Sequence, residues 1–163
     1  MSNLARCLGF QERNGEAEQL YRQVLEIRRR VLAVDHPDLA ETLGEFAEFL
    51  EKMGRCAEAE PICREACSIL STRLPEGHRL RSLNASRLGG ILCGLGRYSE
   101  AEPLLIHSYE ALRDEPGLAD HERKEILERI VRLYESWDAA EPGNAYATKA
   151  QAYRASLDQA KAE

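Results

Sequence analysis

The sequence predicts an all-α solenoid built from antiparallel helix pairs, and two observations support this prediction. The octapeptide Gly-Arg-Cys-Ala-Glu-Ala-Glu-Pro at 54–61 returns as Gly-Arg-Tyr-Ser-Glu-Ala-Glu-Pro at 96–103, which is 42 residues further along the chain. A weaker copy, Glu-Ala-Glu-Gln at 16–19, lies one such step before the first. Apolar residues also recur at helical spacing on both sides of these phrases. A fixed period of about 20–50 residues is typical of proteins that stack one structural unit on the next.

The composition fits a single soluble domain. Of 163 residues, 44% are hydrophobic and 31% are charged, which allows a sizeable core and does not indicate disorder. The net charge of −6 and the pI near 5.4 disfavour nucleic-acid binding, which needs clustered Lys and Arg. No apolar run reaches the roughly 20 residues of a membrane span, and the N-terminus lacks the pattern of a signal peptide. Five cysteines without the spacing of a disulfide scaffold indicate reduced thiols and a cytoplasmic location.

The first unit opens with a short helical face, Leu4, Ala5 and Leu8, which Gly15 interrupts. An apolar stripe at helical period follows and predicts a helix of about four turns. The turn at 34–38 ends this helix, because the residue before a proline avoids the α region. The first helix of the unit is short, so we expect the chain to be a fragment of a longer protein; the alternative is a naturally short first helix. The stripe comprises Ala17, Leu20, Tyr21, Val24, Ile27 and Val31.

The second and third units each show two apolar faces with a glycine between them. Gly54 and Gly96 follow the first helix of their units, where glycine commonly ends a helix. The second helices end at the connections 74–78 and 116–117. In the second unit the faces are Leu43, Phe46, Ala47, Leu50 and Met53, then Ala59, Ile62, Cys63, Ala66, Ile69 and Leu70. In the third they are Ala85, Leu88, Gly89, Leu92 and Leu95, then Ala101, Leu104, Leu105, Ala111 and Leu112.

The fourth unit begins near His121 and has Asp138 where the two preceding units have glycine. Its last helix, from about 145 to 160, is less apolar than the others. A weaker final helix is expected of a solenoid cap, since nothing stacks on its outer face. The chain is therefore predicted to be one domain of approximate repeats 1–34, 35–76, 77–118 and 119–160, with the first truncated and the last a capping unit.

Helix pairs with a small residue in each helix and a glycine between them resemble the tetratricopeptide repeat. The small positions are Ala47 and Gly89 in first helices, and Ala17, Ala59 and Ala101 in second helices. The step of 42 residues, and the Asp-His-Pro-Asp-Leu-Ala phrase at 35–40 that opens a repeat, are similar to the kinesin-light-chain type. This resemblance implies a right-handed superhelix and a non-catalytic scaffold that binds a peptide or protein segment in its concave groove. HEAT and armadillo repeats share the length but lack the Glu-Ala-Glu-Pro phrase.

The end of the chain also resembles the tetratricopeptide tails of bacterial serine/threonine kinases. The similar pieces are Leu-Tyr-Glu-Ser-Trp at 133–137 and Lys-Ala-Gln-Ala-Tyr-Arg at 149–154, joined here by a longer connection. The chain has no Gly-rich loop, His-Arg-Asp or Asp-Phe-Gly motif. The likeness therefore implies a docking or regulatory segment of a larger signalling protein rather than its catalytic part.

The groove-side positions depart from the kinesin-light-chain pattern, which commonly has asparagine pairs that hold a peptide backbone. The matching pairs here are Gly44-Glu45, Ser86-Arg87 and Glu128-Arg129. We therefore expect charge to carry recognition instead, although a charge run on a helix is more often only a solvated face. The predicted partner-binding residues are Asn3, Arg6, Glu41, Glu45, Glu48, Arg87, Arg129 and Arg132.

These residues predict a groove of opposite polarity at its two ends. The three glutamates would make one end acidic and the three later arginines would make the other end basic, and the side chains of Glu45 and Glu48 are expected to point away from the core. Gly90 and Gly94 would leave room for a bulky side chain between them. The expected partner is a protein or peptide segment of mixed charge.

No residue pattern indicates catalysis, a metal or a cofactor. Cys56, Cys63 and Cys67 could begin a zinc site, but structural zinc needs four ligands, so we interpret them as small buried hydrophobes. His36 and His78 lie in equivalent turns one repeat apart, too far to share an ion, and we expect structural or solvated roles. No phosphate loop, Gly-x-Ser-x-Gly or His-Glu-x-x-His motif is present.

One alternative function belongs to a different class. The chain could be a structural or self-assembly module whose uncapped first repeat stacks on another copy or on further repeats. Self-association is accordingly a possible partner interaction.

Overall fold

The computed structural model describes residues 13–162, and within that range the chain forms helices and connecting turns without a strand. Asn3 and Arg6 lie outside the described residues. None of the helices in this range is both long enough and apolar enough to span a bilayer. The seven described helices are α1 (Asn14–Val31), α2 (Pro37–Lys52), α3 (Cys56–Arg73), α4 (Arg79–Gly94), α5 (Tyr98–Leu112), α6 (Asp120–Ala140) and α7 (Tyr146–Ala162).

Two glycines end the first helices of their repeats in the same way. Gly54 and Gly96 both have φ of +74°, a left-handed conformation that residues with a side chain rarely adopt. The amide of Arg55 donates to the carbonyl of Leu50, which closes the helix end in a Schellman arrangement. At Asp138 no glycine is available, and α6 continues to Ala140, which makes it the longest of the described helices.

Two equivalent histidines start first helices. The Nδ1 atom of His36 accepts a hydrogen bond from the amide of Asp38 at 3.1 Å, and Nδ1 of His78 accepts one from the amide of Leu80 at 3.2 Å. Each imidazole therefore satisfies one of the amides that a helix N-terminus leaves without an intrahelical partner. Of the two roles expected for this pair, structural or solvated, the structure shows the first.

The helices form two layers. The first helices α2, α4 and α6 pack directly on one another and form the inner layer, while α3, α5 and α7 each pair with the helix before them and form the outer layer. The same packing puts α3 against α4 and α5 against α6, so each of these two outer helices lies in the groove between two inner ones. The fold is thus the predicted all-α repeat superhelix.

Small residues lie where neighbouring helices cross. Ala17, Ala47, Ala59 and Ala101 are all completely buried, as the sequence pattern predicts. At Gly89 an added Cβ would come within 2.6 Å of Leu105 Cγ and 3.3 Å of the Ala101 carbonyl oxygen. Side chains larger than these would force α4 and α5 apart, because protein interiors have few voids to absorb them.

The prediction is wrong for four residues assigned to apolar faces. Ile27 and Val31 are exposed, because the last turns of α1 extend beyond the core. Met53 is 42% exposed at the end of α2, where it follows the last helical residue. Ala111 is exposed near the end of α5, on the side of that helix turned away from its neighbours.

The last helix pair is joined by aromatic rings. Trp137 of α6 stacks on Tyr146 of α7 with ring centroids 4.3 Å apart, and Tyr134 stacks on Tyr153 at 5.9 Å. Lys149 adds its ammonium group over the Tyr134 ring at 5.0 Å. These contacts compensate for the low aliphatic content of α7, since aromatic pairs stabilise beyond the area they bury.

The crossing of α4 and α5 provides a test of this packing. Ala101→Leu should lower the free energy of unfolding by about 1–3 kcal/mol, because the site has no room for a larger side chain. Ala111→Leu is the matched control, since Ala111 lies on the same helix and is exposed; its effect should stay within about 0.5 kcal/mol. Urea denaturation of both variants measures the difference. Equal effects of the two changes would contradict the packing described for Ala101.

Candidate functional site

A cleft of about 500 Å³ opens on the inner face of the superhelix. Its walls come from helices that are far apart in sequence: the first half of α1, the second half of α2, the middle of α4 and the beginning of α6. A cleft of this size can hold part of a peptide ligand. The lining residues are Asn14, Tyr21, Glu45, Glu48, Phe49, Lys52, Met53, Arg87, His121, Glu122 and Glu125.

One side of the cleft is apolar. Tyr21 of α1 packs against Phe49 of α2 with centroids 5.7 Å apart, and both rings contact Phe46. Both rings are buried, Tyr21 almost completely, so they support this side of the cleft from within and expose little ring surface to it. Met53 lies beside them and exposes much of its thioether to the cleft and to solvent.

Beside the cleft lies a largely buried group of charges that we term the ionic clamp: Glu48 and Glu51 of α2, Arg87 of α4, and Arg129 and Arg132 of α6. Nε of Arg87 donates to Oε2 of Glu48 at 2.8 Å, and a terminal nitrogen of Arg129 donates to Oε1 of Glu48 at 3.0 Å. Arg132 donates to Oε1 of Glu51, and Nε of Arg129 lies 3.9 Å from the other oxygen of Glu51. The clamp therefore joins three inner helices, including two that are separated by a full repeat.

The clamp is possible because α4 has little side-chain volume where the arginines pass. A Cβ added at Gly90 would lie 2.7 Å from Oε1 of Glu51 and 3.1 Å from Cδ of Arg129. One turn earlier, the hydroxyl of Ser86 lies 3.5 Å from a terminal nitrogen of Arg129. A larger side chain at either position would separate the carboxylates of α2 from the guanidinium groups of α6.

Lys52 extends these contacts to the mouth of the cleft. Its ammonium group lies 3.0 Å from Oε1 of Glu48 and 3.1 Å from Oε1 of Glu125. Burial by itself would raise the pKa of Glu48, but the charges of Arg87, Arg129 and Lys52 together lower the pKa below its usual value. Glu48 is therefore an ionised carboxylate held inside the protein.

The predicted groove residues within the described range lie on the inner helices, but their orientation differs from the prediction. Glu48 is buried, so the expectation that its side chain points away from the core is wrong; Arg129 is also buried, and Arg87 is largely buried. Glu41 is exposed, and Arg132 is half exposed. Reversing the charge at Glu48 would place a fourth cation beside the three that now contact it, so that change would disturb the fold rather than only the surface.

The expected charge polarity is also wrong. The acidic side chains of α2 and the basic side chains of α4 and α6 do not occupy opposite ends of a groove, because they bind one another in the clamp. Nor do Gly90 and Gly94 leave open space. Glu51 and Arg129 fill the space beside Gly90, and the Sγ atom of Cys56 would lie 2.5 Å from a Cβ at Gly94.

Three of the thiols lie in the helix packing. Cys56, Cys63 and Cys93 are buried, and the Cys63 thiol donates to the carbonyl oxygen of Asn84 at 3.6 Å. Burial and the neighbouring Cys67 raise the pKa of Cys63 well above its usual value, with the contact to Cys67 as the larger cause. Among residues 13–162, no group of three or more His, Cys, Asp or Glu side chains is arranged to hold a metal ion.

Comparisons with known proteins support the repeat assignment. Residues 1–72 match the sequence profile of the tetratricopeptide repeat. Two solved structures of a Podosopora anserina protein, described as a kinesin light chain with nearly identical tetratricopeptide-like repeats, share the fold. One of them, a variant with a single substitution, has a TM-score of 0.69 at 20% identity, covering 99% of this chain and 84% of that one. The other has a TM-score of 0.66 at 20% identity, with 99% and 85% covered. A comparison with curated protein sequences finds no significant match.

The fold is that of a tetratricopeptide-repeat protein. It resembles kinesin-light-chain repeats in the arrangement of its helices across nearly the whole chain. Tetratricopeptide folds are generally protein-interaction scaffolds, and they are typically not enzymes.

A second set of charges repeats along the outer face of the tetratricopeptide stack, and the sequence analysis missed it. Glu18 and Glu60 are equivalent residues of α1 and α3. Each glutamate accepts a hydrogen bond from an arginine one turn later on its own helix, Arg22 for Glu18 and Arg64 for Glu60. Each also accepts a hydrogen bond from an arginine that directly precedes the next outer helix. The second kind of contact joins Arg55 to Glu18 at 2.6 Å and Arg97 to Glu60 at 2.6 Å. The 42-residue spacing of these pairs was the signal that could have revealed them.

Because of these ion pairs, the free energy of unfolding should depend on pH in the acidic range. The hydrogen bond from Arg55, with a further one from Arg22, lowers the pKa of Glu18 from 4.5 to about 2. A carboxyl whose pKa is lower in the folded state stabilises the protein above its unfolded pKa. That contribution should be lost as the pH falls from about 4.5 to about 2. At pH 7, Glu18→Gln should therefore unfold at a lower urea concentration than the wild type. The difference between the two unfolding midpoints should narrow below pH 4.5.

The control for this measurement is Glu76→Gln, a change at an exposed turn residue. Its unfolding midpoint in urea should stay close to that of the wild type. A difference between wild type and Glu18→Gln that stays constant from about pH 7 to about pH 3 would contradict the role assigned to the Arg55 contact.

Proposed function

We propose that this chain is a non-catalytic scaffold that binds a peptide or protein segment in the cleft on its inner face. The observation that carries this proposal is the cleft itself, which four helices from successive repeats build together. A segment lying there would contact residues spread over most of the chain, which is the way an extended ligand uses a repeat surface.

The rigidity of the cleft supports the same function. The inner helices α2, α4 and α6 are joined by buried, charge-assisted contacts, and the apolar wall consists of buried rings. A binding surface that is already ordered loses less conformational entropy when a ligand binds, and so more of the contact energy appears as affinity.

The predicted groove residues divide into two roles in this proposal. Glu45 and Arg87 line the cleft and could contact a ligand directly. Glu48, which also lines the cleft, and Arg129 would hold the inner helices in place, with Arg132 completing the contact to Glu51. Glu41 stays a candidate at the exposed beginning of the same helix face.

Peptide selection followed by NMR mapping tests the proposal. A phage-displayed library of random dodecapeptides, panned on the full chain, should yield peptides that bind one per chain. Titration of the best peptide into isotopically labelled protein should shift amide signals of 45–53 and 121–125, because these segments line the cleft. Amides on the outer faces of α3 and α5 serve as the internal control and should stay unchanged. Shifts confined to those outer helices, or a library that yields no binder, would contradict the proposal.

A further inference from the structure

We propose, resting on the proposed function, that the cleft selects a segment through one Lys or Arg side chain, whose positive charge lies among the carboxylates of Glu45, Glu122 and Glu125. The partner is therefore a segment with a basic residue, rather than an acidic or a purely apolar one. Three features of the described residues lead to this inference: the charges that line the cleft, the carboxylate oxygens that existing contacts do not use, and the cation that the cleft already holds.

The residues that line the cleft carry more negative than positive charge. The four carboxylates are those of Glu45, Glu48, Glu122 and Glu125, and the two cations are Lys52 and Arg87. Glu48 and Arg87 are largely buried and bind each other at 2.8 Å, so a ligand mainly meets three carboxylates and one ammonium group. Arg79 and Arg129, which pair with Glu122 and Glu48, do not line the cleft. A ligand in the cleft can therefore contact the carboxylates directly but not these two guanidinium groups.

The two cleft carboxylates of α6 keep acceptor capacity for a ligand. Among the contacts within residues 13–162, Arg79 and the amide of Ala119 both donate to Oε2 of Glu122, and Lys52 donates to Oε1 of Glu125. An ionised carboxylate has about four acceptor positions on its two oxygens. Glu122 and Glu125 can therefore accept hydrogen bonds from a ligand cation through the second oxygen and keep the contacts that they already make.

Lys52 shows that this part of the cleft favours a positive charge. Its ammonium group bridges α2 and α6, at 3.0 Å from Glu48 and 3.1 Å from Glu125. Burial alone would lower the pKa of Lys52, but the two carboxylates raise the pKa above its usual value. The side chain of Lys52 is about half exposed, and an ion pair at such a position contributes little to stability. A ligand cation can therefore share Glu125 with Lys52 or replace it there.

The dimensions of the cleft suit a long basic side chain. A volume of about 500 Å³ accommodates a Lys or Arg side chain together with part of the backbone that carries it. Met53 lines the same cleft and is exposed, so it can contact the methylene groups of such a side chain while the charged end reaches the carboxylates.

The experiment uses the full chain and the peptides selected from the dodecapeptide library. The peptides that shift the cleft amides should share one Lys or Arg position. Glu125→Gln should weaken binding of the best peptide about three- to tenfold, because it removes one negative charge from the cleft. Glu135→Gln is the matched control, since Glu135 lies on the same helix and also forms an ion pair, with Arg154, but does not line the cleft. It should change the affinity less than about twofold.

Lys52→Met provides a readout of the opposite sign. The change removes the ammonium group that competes for Glu125 and keeps an apolar side chain, so the affinity of the best peptide should increase about two- to fivefold. A change in the peptide gives a further readout that does not depend on the stability of any variant. Replacing the shared Lys or Arg of the peptide with Gln should weaken its binding to the wild type at least about tenfold, because a charge-assisted contact is lost. Glu125→Gln should then have no further effect on the Gln peptide.

The outcomes separate this inference from the proposed function. Peptides that shift the cleft amides but share no basic position would overturn the inference and leave the proposed function intact. The same conclusion would follow if the best peptide bound Glu125→Gln and Glu135→Gln equally well, or bound Lys52→Met no better than the wild type. Selected peptides that do not shift the cleft amides would overturn both.

Discussion

A buried carboxylate sets the constraint on which the inner layer depends. Glu48 is enclosed by α2, α4 and α6 and contacts Arg87, Arg129 and Lys52. Placing charges inside a protein is costly, and the cost is offset only when every charge keeps its partners in good geometry. A change in the relative position of the three helices would separate at least one pair. The clamp therefore favours one arrangement of the inner helices over others with similar apolar packing.

The same constraint explains why α4 has small residues on its inner face. Glu48 and Arg129 are 81 residues apart in sequence, as are Glu51 and Arg132, so their side chains meet across the intervening helix. Ser86 and Gly90 leave the passage that this contact requires. α4 lies between α2 and α6, and its small residues allow the side chains of these two inner helices to bind each other.

Local patterns predicted the repeat but not the clamp. The 42-residue period, the glycines after α2 and α4 and the buried alanines each follow from neighbours in sequence, so the helix pairs could be predicted. Glu48 could not be predicted as buried, because a glutamate opposite an apolar stripe is normally solvated. Gly90 suggested empty space, because the side chains that fill it, Glu51 and Arg129, belong to other helices. The distance of those helices from Gly90 depends on the curvature of the stack. The cleft rings Tyr21 and Phe49 likewise meet only in the folded chain.

The most direct test of this account is a double-mutant cycle on Glu48→Gln and Arg129→Gln, with the free energy of unfolding measured in urea for both single variants and the double variant. If the two side chains bind each other across α4, the double variant should be more stable than the sum of the single effects implies, with a coupling energy of about 1–3 kcal/mol. Additive effects within about 0.5 kcal/mol would show that the two residues act independently and that the clamp does not join α2 to α6.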